Sequence, residues 1–162
     1  MSPVDLELTD GESLMASEDE LIYRQITKHL MHGSNVATHA FTGSTSDAGK
    51  PSYARSGMIS AQESRDWHAA HANSASLGVW GVTVGEVAVA KSHVIDDSAT
   101  PLGPGKVRSP GHCYVDAREL DRLALKDLRA QLWSAAMARK EIPTREPRAD
   151  GELDIDIDID PA

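Results

Sequence analysis

The chain has a single cysteine, Cys113, so no disulfide can form within it. Disulfides are typical of small secreted proteins, whereas reduced thiols are typical of the cytoplasm. The first residues also lack the basic stretch and the apolar stretch of a secretory signal. We therefore expect a cytoplasmic protein.

Aromatic side chains and long apolar runs are also scarce. Three Trp, three Tyr and one Phe leave Val, Leu, Ile and Ala to build the core. The longest apolar stretch, residues 77–90, is interrupted by glycine, threonine and glutamate. It is too short and too polar to predict a membrane-spanning helix.

Basic residues are nearly missing from both ends of the chain. Residues 1–20 contain seven acidic residues and no Lys or Arg, and residues 145–162 contain seven acidic residues and two Arg. Residues 21–144 are slightly basic, with 14 Lys or Arg against 11 Asp or Glu. This pattern predicts an acidic flexible arm (1–20), a single domain (21–144) and an acidic tail (145–162). The net negative charge argues against broad binding to nucleic acid or to anionic membranes.

Several segments of the central domain have the composition of strands. Residues 21–26 are rich in β-formers and predict a strand followed by a short helix at 27–32, although a capping box at Ser17-Glu-Asp-Glu20 also allows one helix over 17–33. The Val-rich segment 77–90 predicts a central strand buried on both faces. Shorter strands are predicted at 38–42, 52–55 and 112–115.

Two further segments predict helices. The capping box Ser60-Ala-Gln-Glu63 opens a helix that should run to about Ala72. Asp116 is the predicted cap of a longer helix over 117–139, where leucines recur at helical spacing, and Pro143 prevents its extension. The predicted fold class is α+β: a small mixed or antiparallel sheet packed against this long C-terminal helix.

The acidic tail alternates between isoleucine and aspartate. In an extended conformation, the isoleucines lie on one side and the aspartates on the other. Such a segment can add a strand to an open sheet edge or meet a basic surface on a partner protein. The predicted partner-binding residues are Asp154, Ile155, Asp156, Ile157, Asp158, Ile159 and Asp160.

Three short motifs carry a resemblance to known sequences. The segments Tyr23-Arg-Gln-Ile26, Ala40-Phe41 and Gly81-Val-Thr-Val-Gly-Glu86 together resemble a group of small uncharacterised bacterial proteins. In that group His-Pro follows Tyr-Arg-Gln, where this chain has Thr27-Lys28. The resemblance covers residues 21–125 and implies a stand-alone bacterial domain, with no activity attached.

The histidines and the cysteine are candidate metal ligands or nucleophiles. His29 and His32 are three residues apart, as are His68 and His71, and paired imidazoles at this spacing on a helix can share zinc. The sequence has neither the Cys-x-x-Cys nor the His-Glu-x-x-His pattern, so surface or core-edge histidines are the simpler interpretation. Cys113 lies in a predicted strand and is expected to be a small buried apolar residue. We expect no metal and no cofactor.

One enzymatic alternative remains open. An ADP-ribosyltransferase-like site uses an Arg to hold a phosphate, a Ser-Thr-Ser segment to orient the nicotinamide half and a Glu to stabilise positive charge on the ribose. The chain has Arg24, Ser44, Thr45, Ser46 and Glu86 in that order. However, the serine segment falls in a predicted loop, and valine stands where the second glutamate of such sites is found, two residues before Glu86.

A buried Glu86 would also need a partner within the fold, and Arg24 or Arg55 could provide it as a structural ion pair. The favoured hypothesis is therefore a non-catalytic interaction or accessory protein whose acidic arms engage a partner protein. The ADP-ribosyltransferase-like enzyme is the alternative.

Overall fold

The computed structural model describes residues 7–147. The strands are β1 (Ser13–Leu14), β2 (Leu21–Gln25), β3 (Met31–His32), β4 (Asn35–Val36), β5 (Ser52–Arg55), β6 (Val79–Thr83), β7 (Val94–Asp96) and β8 (His112–Val115). The α-helices are α1 (Ala61–His71), α2 (Val84–Val89) and α3 (Arg122–Arg139), and two short 3-10 helices span Lys28–Leu30 and Thr45–Asp47.

Within residues 7–147, six strands form one antiparallel sheet in the order β1-β7-β8-β5-β2-β6, and β3 and β4 form a separate hairpin. This confirms the predicted α+β class with a long C-terminal helix. None of the helices in this part of the chain combines the length and the apolar character needed to cross a bilayer.

The sheet is covered differently on its two faces. Directly opposed residues of an antiparallel pair lie on the same face, and neighbours along a strand alternate. Ile22 and Val82 are opposed and pack with Leu128 and Leu132 of α3 in the main core. Tyr23, on the other face, belongs to a smaller core beside α1, and this face also carries the cavity described below.

The helices α1 and α3 follow the predicted pattern with one correction. Ser60 caps α1 as predicted, since its hydroxyl accepts a hydrogen bond from the Glu63 amide at 3.0 Å. In contrast, α3 begins at Arg122 and is capped by Asp121, not by Asp116. The chain turns through a positive φ at Glu119, which a continuous helix from 117 cannot contain.

The Val-rich segment 77–90 is not one strand, so that prediction is wrong. Strand β6 ends at Thr83, and α2 begins immediately after it. The Thr83 hydroxyl accepts from the Glu86 amide at 3.1 Å, and the Glu86 carboxylate accepts from the Thr83 amide at 2.8 Å. This reciprocal cap satisfies backbone donors at the start of a helix and outweighs the strand preference of the valines.

The predictions for the short segments are also partly wrong. Residues 38–42 form turns instead of the predicted strand, since the amide of Gly43 donates to the carbonyl of His39. Strand β7 was not predicted. Strands β2, β5 and β8 are confirmed, and β2 rather than the alternative helix 17–33 follows the Ser17 segment.

The described part of the predicted N-terminal arm is attached to the sheet. Ser13 and Leu14 form the edge strand β1, opposite Asp96 and Ile95 of β7. Glu20, which would have closed the alternative capping box, instead accepts two hydrogen bonds from the Arg55 guanidinium, each at 2.9 Å. The charge composition alone places this segment in an arm, whereas Ser13, Leu14 and Glu20 contact the sheet.

We predict that Leu128→Ala lowers the free energy of unfolding by about 2–5 kcal/mol, because the side chain is 1% exposed against the sheet and its removal leaves a cavity. Leu123→Ala is the matched control on the same helix, since Leu123 is 76% exposed and should change stability little. Urea denaturation followed by circular dichroism measures both. Equal effects of the two substitutions would contradict this packing.

Candidate functional site

A cavity of about 840 Å³ lies between α1, the strands β2, β5 and β8, and the loop of residues 97–111. Helix α1 contributes Trp67 and His68, the sheet contributes Ser52 and His112, and the loop contributes Arg108. This volume suits a small organic molecule, and a mixture of apolar walls with a few polar groups is typical of ligand sites.

The strand register brings three polar residues together on the cavity face. Ser52 lies opposite Tyr114 and Ala54 lies opposite His112, so Ser52 and His112 share one face as diagonal neighbours. Asp96 is opposite Cys113 on the other face, and Asp97 therefore follows on the side of His112. The adjacent strands β5 and β8 and the residue that follows β7 thus supply a serine, a histidine and an aspartate in a row.

These three side chains form a continuous hydrogen-bonded chain. The His112 Nδ1 lies 2.5 Å from Asp97 Oδ1, and the His112 Nε2 lies 3.1 Å from Ser52 Oγ. A carboxylate can only accept, so Nδ1 carries a proton and donates a hydrogen bond to Asp97. In the neutral ring Nε2 is then an acceptor, and it faces the hydroxyl of Ser52.

The residues around this chain hold it in place. The side chain of Asp97 is only 12% exposed, and the Nε of Arg108 lies 3.8 Å from its second oxygen. Gly111 turns the chain into β8 with a φ of +68°, and its carbonyl accepts from the Arg55 amide at 2.9 Å. A Cβ at Gly111 would also lie 2.9 Å from the Cβ of Met58, so glycine is required where His112 enters the sheet.

The opposite wall of the cavity is formed by α1. Trp67 stacks on His71 with ring centroids 4.0 Å apart. Burial lowers the pKa of His68, which keeps its imidazole neutral at neutral pH. The His68 Nε2 donates to the carbonyl of Ser74 at 2.7 Å, so Nδ1 is left as an acceptor and the residue adds no positive charge to the cavity.

Part of the predicted ADP-ribosyltransferase-like set reaches the same cavity. Arg24, Ser44 and Ser46 line it, while Thr45 lies between the two serines in the short 3-10 helix. The hydroxyls of Ser44 and Ser46 are 2.8 Å apart. Arg24 is buried, and it donates to the carbonyls of Ala40 at 2.9 Å and Ser52 at 3.1 Å.

Glu86 does not join this set. It lines a separate cavity of about 390 Å³ beside α2 and α3. The predicted pairing of Glu86 with an arginine is confirmed, but the partner is Arg139, at 2.8 and 3.0 Å, and not Arg24 or Arg55. Glu86 therefore closes the α2 cap and links α2 to α3.

The other predicted site residues have structural surroundings or lie outside the described part. Cys113 is fully buried in the main core, and burial raises the pKa of its thiol, as expected for an inert cysteine. Within residues 7–147, no three His, Cys, Asp or Glu side chains are arranged to hold a metal ion. The tail residues Asp154 to Asp160 lie outside the described residues.

No family model, curated protein or solved structure compared with this chain matches it.

The function must therefore be argued from the chemistry of the cavity. Ser52, Asp97 and His112 were not among the functional residues predicted from the sequence. The available signal was that Ser52 and His112 each fall in a short predicted strand. Nothing local indicates that β5 and β8 are neighbours, or that Asp97 is placed beside them.

We predict that Glu86→Gln lowers the free energy of unfolding at pH 7 by about 0.5–1 kcal/mol, as expected for a partly exposed ion pair. Although burial alone would raise the pKa of Glu86, hydrogen bonds from Arg139 and Thr83 lower it below 4.5. A lowered folded pKa contributes stability above the unfolded value, and this contribution is lost as the pH falls through the folded value. The difference between wild type and variant should therefore shrink below pH 4.5.

Glu63→Gln is the matched control, because Glu63 occupies the same capping position in α1 and has no arginine partner among residues 7–147. Urea denaturation at several pH values measures both variants. An identical effect at pH 7 for the two substitutions would show that Arg139 contributes nothing.

Proposed function

We propose that this protein is a serine hydrolase that cleaves a small ester in the cavity, with Ser52 as nucleophile, His112 as general base and acid, and Asp97 as the residue that orients the imidazole. The observation that carries the proposal is the hydrogen-bonded chain from Asp97 through His112 to Ser52 at the cavity wall. A hydroxyl is a weak nucleophile by itself, and an imidazole held in the correct tautomer removes its proton during attack.

In the first half of the reaction, Ser52 Oγ bonds to the carbonyl carbon of the ester and gives its proton to His112 Nε2. The imidazolium then donates that proton to the departing alkoxide as the ester C–O bond breaks, so an alcohol leaves and an acyl-serine remains. The negative charge of Asp97 stabilises the imidazolium in between.

In the second half, water takes the place of the alcohol. Its oxygen bonds to the acyl carbon while His112 Nε2 accepts a proton from it. The bond from Ser52 Oγ to the acyl carbon then breaks, and the serine recovers its proton from His112. Ester and water are thereby converted to acid and alcohol, and the protein returns to its starting state.

A second candidate function is supported by a different part of the wall. Arg24, Ser44 and Ser46 line the cavity, as the ADP-ribosyltransferase-like hypothesis requires. The position of Glu86 in another cavity counts against it, because the charge-stabilising glutamate of that chemistry is then missing from this site. Release of nicotinamide from NAD in a manner that depends on Arg24 would favour this candidate over the hydrolase.

The interaction role of the acidic tail remains a prediction alongside the enzyme. Its residues, Asp154 to Asp160, retain the alternating pattern that suits a sheet edge or a basic partner surface. A cytoplasmic location and membership of the bacterial group are likewise proposals, based on the single cysteine and on the three short motifs.

We predict that a fluorophosphonate probe labels Ser52, since such probes form a bond from phosphorus to an activated serine oxygen and release fluoride. Ser52→Ala should abolish labelling and any hydrolysis of 4-nitrophenyl acetate above background. His112→Ala should slow both by about 10²–10⁴-fold, the range expected for loss of a general base. Intact-mass spectrometry and release of 4-nitrophenol measure the two outcomes.

Ser109→Ala is the control, because Ser109 lines the same cavity outside the hydrogen-bonded chain. It should be labelled and should hydrolyse the ester like the wild type. Labelling that persists in Ser52→Ala, or ester cleavage equal to wild type in that variant, would exclude the proposed mechanism.

A further inference from the structure

Charged side chains of both signs surround the cavity beside Ser52. Arg24, Arg108 and Asp47 line its wall, and the carboxylate of Asp97 contacts His112. Arg24 is already committed, since it donates to two backbone carbonyls and its Nη2 lies 3.6 Å from Asp47. The three nitrogens of the Arg24 guanidinium therefore all have partners within the fold.

Only some of the hydrogen-bond donors of Arg108 have partners within the fold. Its Nη1 donates to the carbonyl of Thr100 at 2.6 Å, and its Nε lies 3.8 Å from Asp97. Among residues 7–147, no hydrogen-bond acceptor is recorded for its Nη2 group. A guanidinium presents its donors in a fixed plane, so the two contacts fix the group and leave one N–H₂ for a ligand.

The cavity wall that includes Arg108 also has two solvent-exposed apolar side chains. Val107 is 64% exposed and Leu102 is 40% exposed, and both line the cavity. A molecule bound next to Ser52 would therefore meet the remaining N–H₂ of a guanidinium and two aliphatic surfaces. An ester with an aliphatic or aromatic body and a carboxylate offers an acceptor to the first and apolar contact to the second.

We propose that the substrates are esters that also carry a carboxylate, and that Arg108 binds this carboxylate through Nη2 while Leu102 and Val107 contact the apolar body. This inference rests on the proposed serine hydrolase function and adds its substrate class. A planar carboxylate is suited to the guanidinium edge, and charge-assisted hydrogen bonds of this kind are stronger than neutral ones.

The test compares esters that differ only in charge. One pair is 4-nitrophenyl glutarate, with a free carboxylate in the acyl half, against its neutral glutaramate analogue. The other pair is 4-carboxyphenyl acetate, with the carboxylate in the alcohol half, against 4-carbamoylphenyl acetate. In at least one pair the wild type should favour the charged ester by about 10–100-fold in kcat/KM, mainly through a lower KM.

Arg108→Gln should reduce that ratio of charged to neutral ester by at least about tenfold, and Arg108→Lys should restore part of it by replacing the positive charge. The ratio separates substrate binding from a purely structural role, because loss of the contact with Asp97 slows both esters of a pair alike. Circular dichroism melting checks that each variant is folded. If Arg108→Gln does not fold, the comparison of charged and neutral esters is made with Arg108→Lys.

The results also distinguish the two proposals. Hydrolysis that depends on Ser52 but shows no preference for either charged ester, or an equal loss on both esters of a pair in Arg108→Gln, overturns the substrate class and leaves the hydrolase in place. If Ser52→Ala cleaves all four esters as well as the wild type, the hydrolase itself fails, and the substrate class fails with it.

Discussion

The position of β8 between β7 and β5 is the constraint on which the site depends. Along β8, His112 faces the cavity while Cys113 enters the main core, because neighbouring residues on a strand alternate. Along β7 the same alternation sends Asp96 towards Arg55 and leaves Asp97 to His112. A shift of one residue in either pairing would exchange these roles, so the packing of the core under α3 also fixes the alignment of the polar chain.

Features with a local cause could be predicted from the sequence. The cap at Ser60, the leucine pattern of α3 and its end at Arg139 depend on residues within a few positions of one another, and the structure has all three. The segment 77–90 shows where local signals compete. Its valines favour a strand, whereas Thr83 and Glu86 form a cap that starts a helix, and the cap prevails. For α3, Asp116 was the predicted cap, but the chain turns through a positive φ at Glu119 and the helix starts after Asp121.

The site could not be predicted in the same way, because its parts are distant in the sequence. Ser52 lies 60 positions before His112, and Asp97 lies 15 positions before it. Their proximity follows from the strand order β7-β8-β5, which pairs β5 with a strand far along the chain. The ADP-ribosyltransferase-like alternative shows the same limit. Arg24, Ser44, Ser46 and Glu86 have the order along the chain that such a site requires, but Arg24 and the two serines line one cavity and Glu86 lines another.

The loop of residues 97–111 connects β7 directly to β8, and this has a consequence for how such a protein can be diversified. Asp97 and His112 stand at the two ends of the loop, next to the paired strands β7 and β8, and within the loop Arg108 and Gly111 support them. Lengthening a flexible loop is inexpensive, since each doubling costs only about 0.6 kcal/mol in closure entropy. The part of the loop before Arg108 can therefore vary in length and composition while Arg108, Gly111 and the two anchors are kept, which makes this hairpin a natural position for library design and for the divergence of ligand preference on an unchanged sheet.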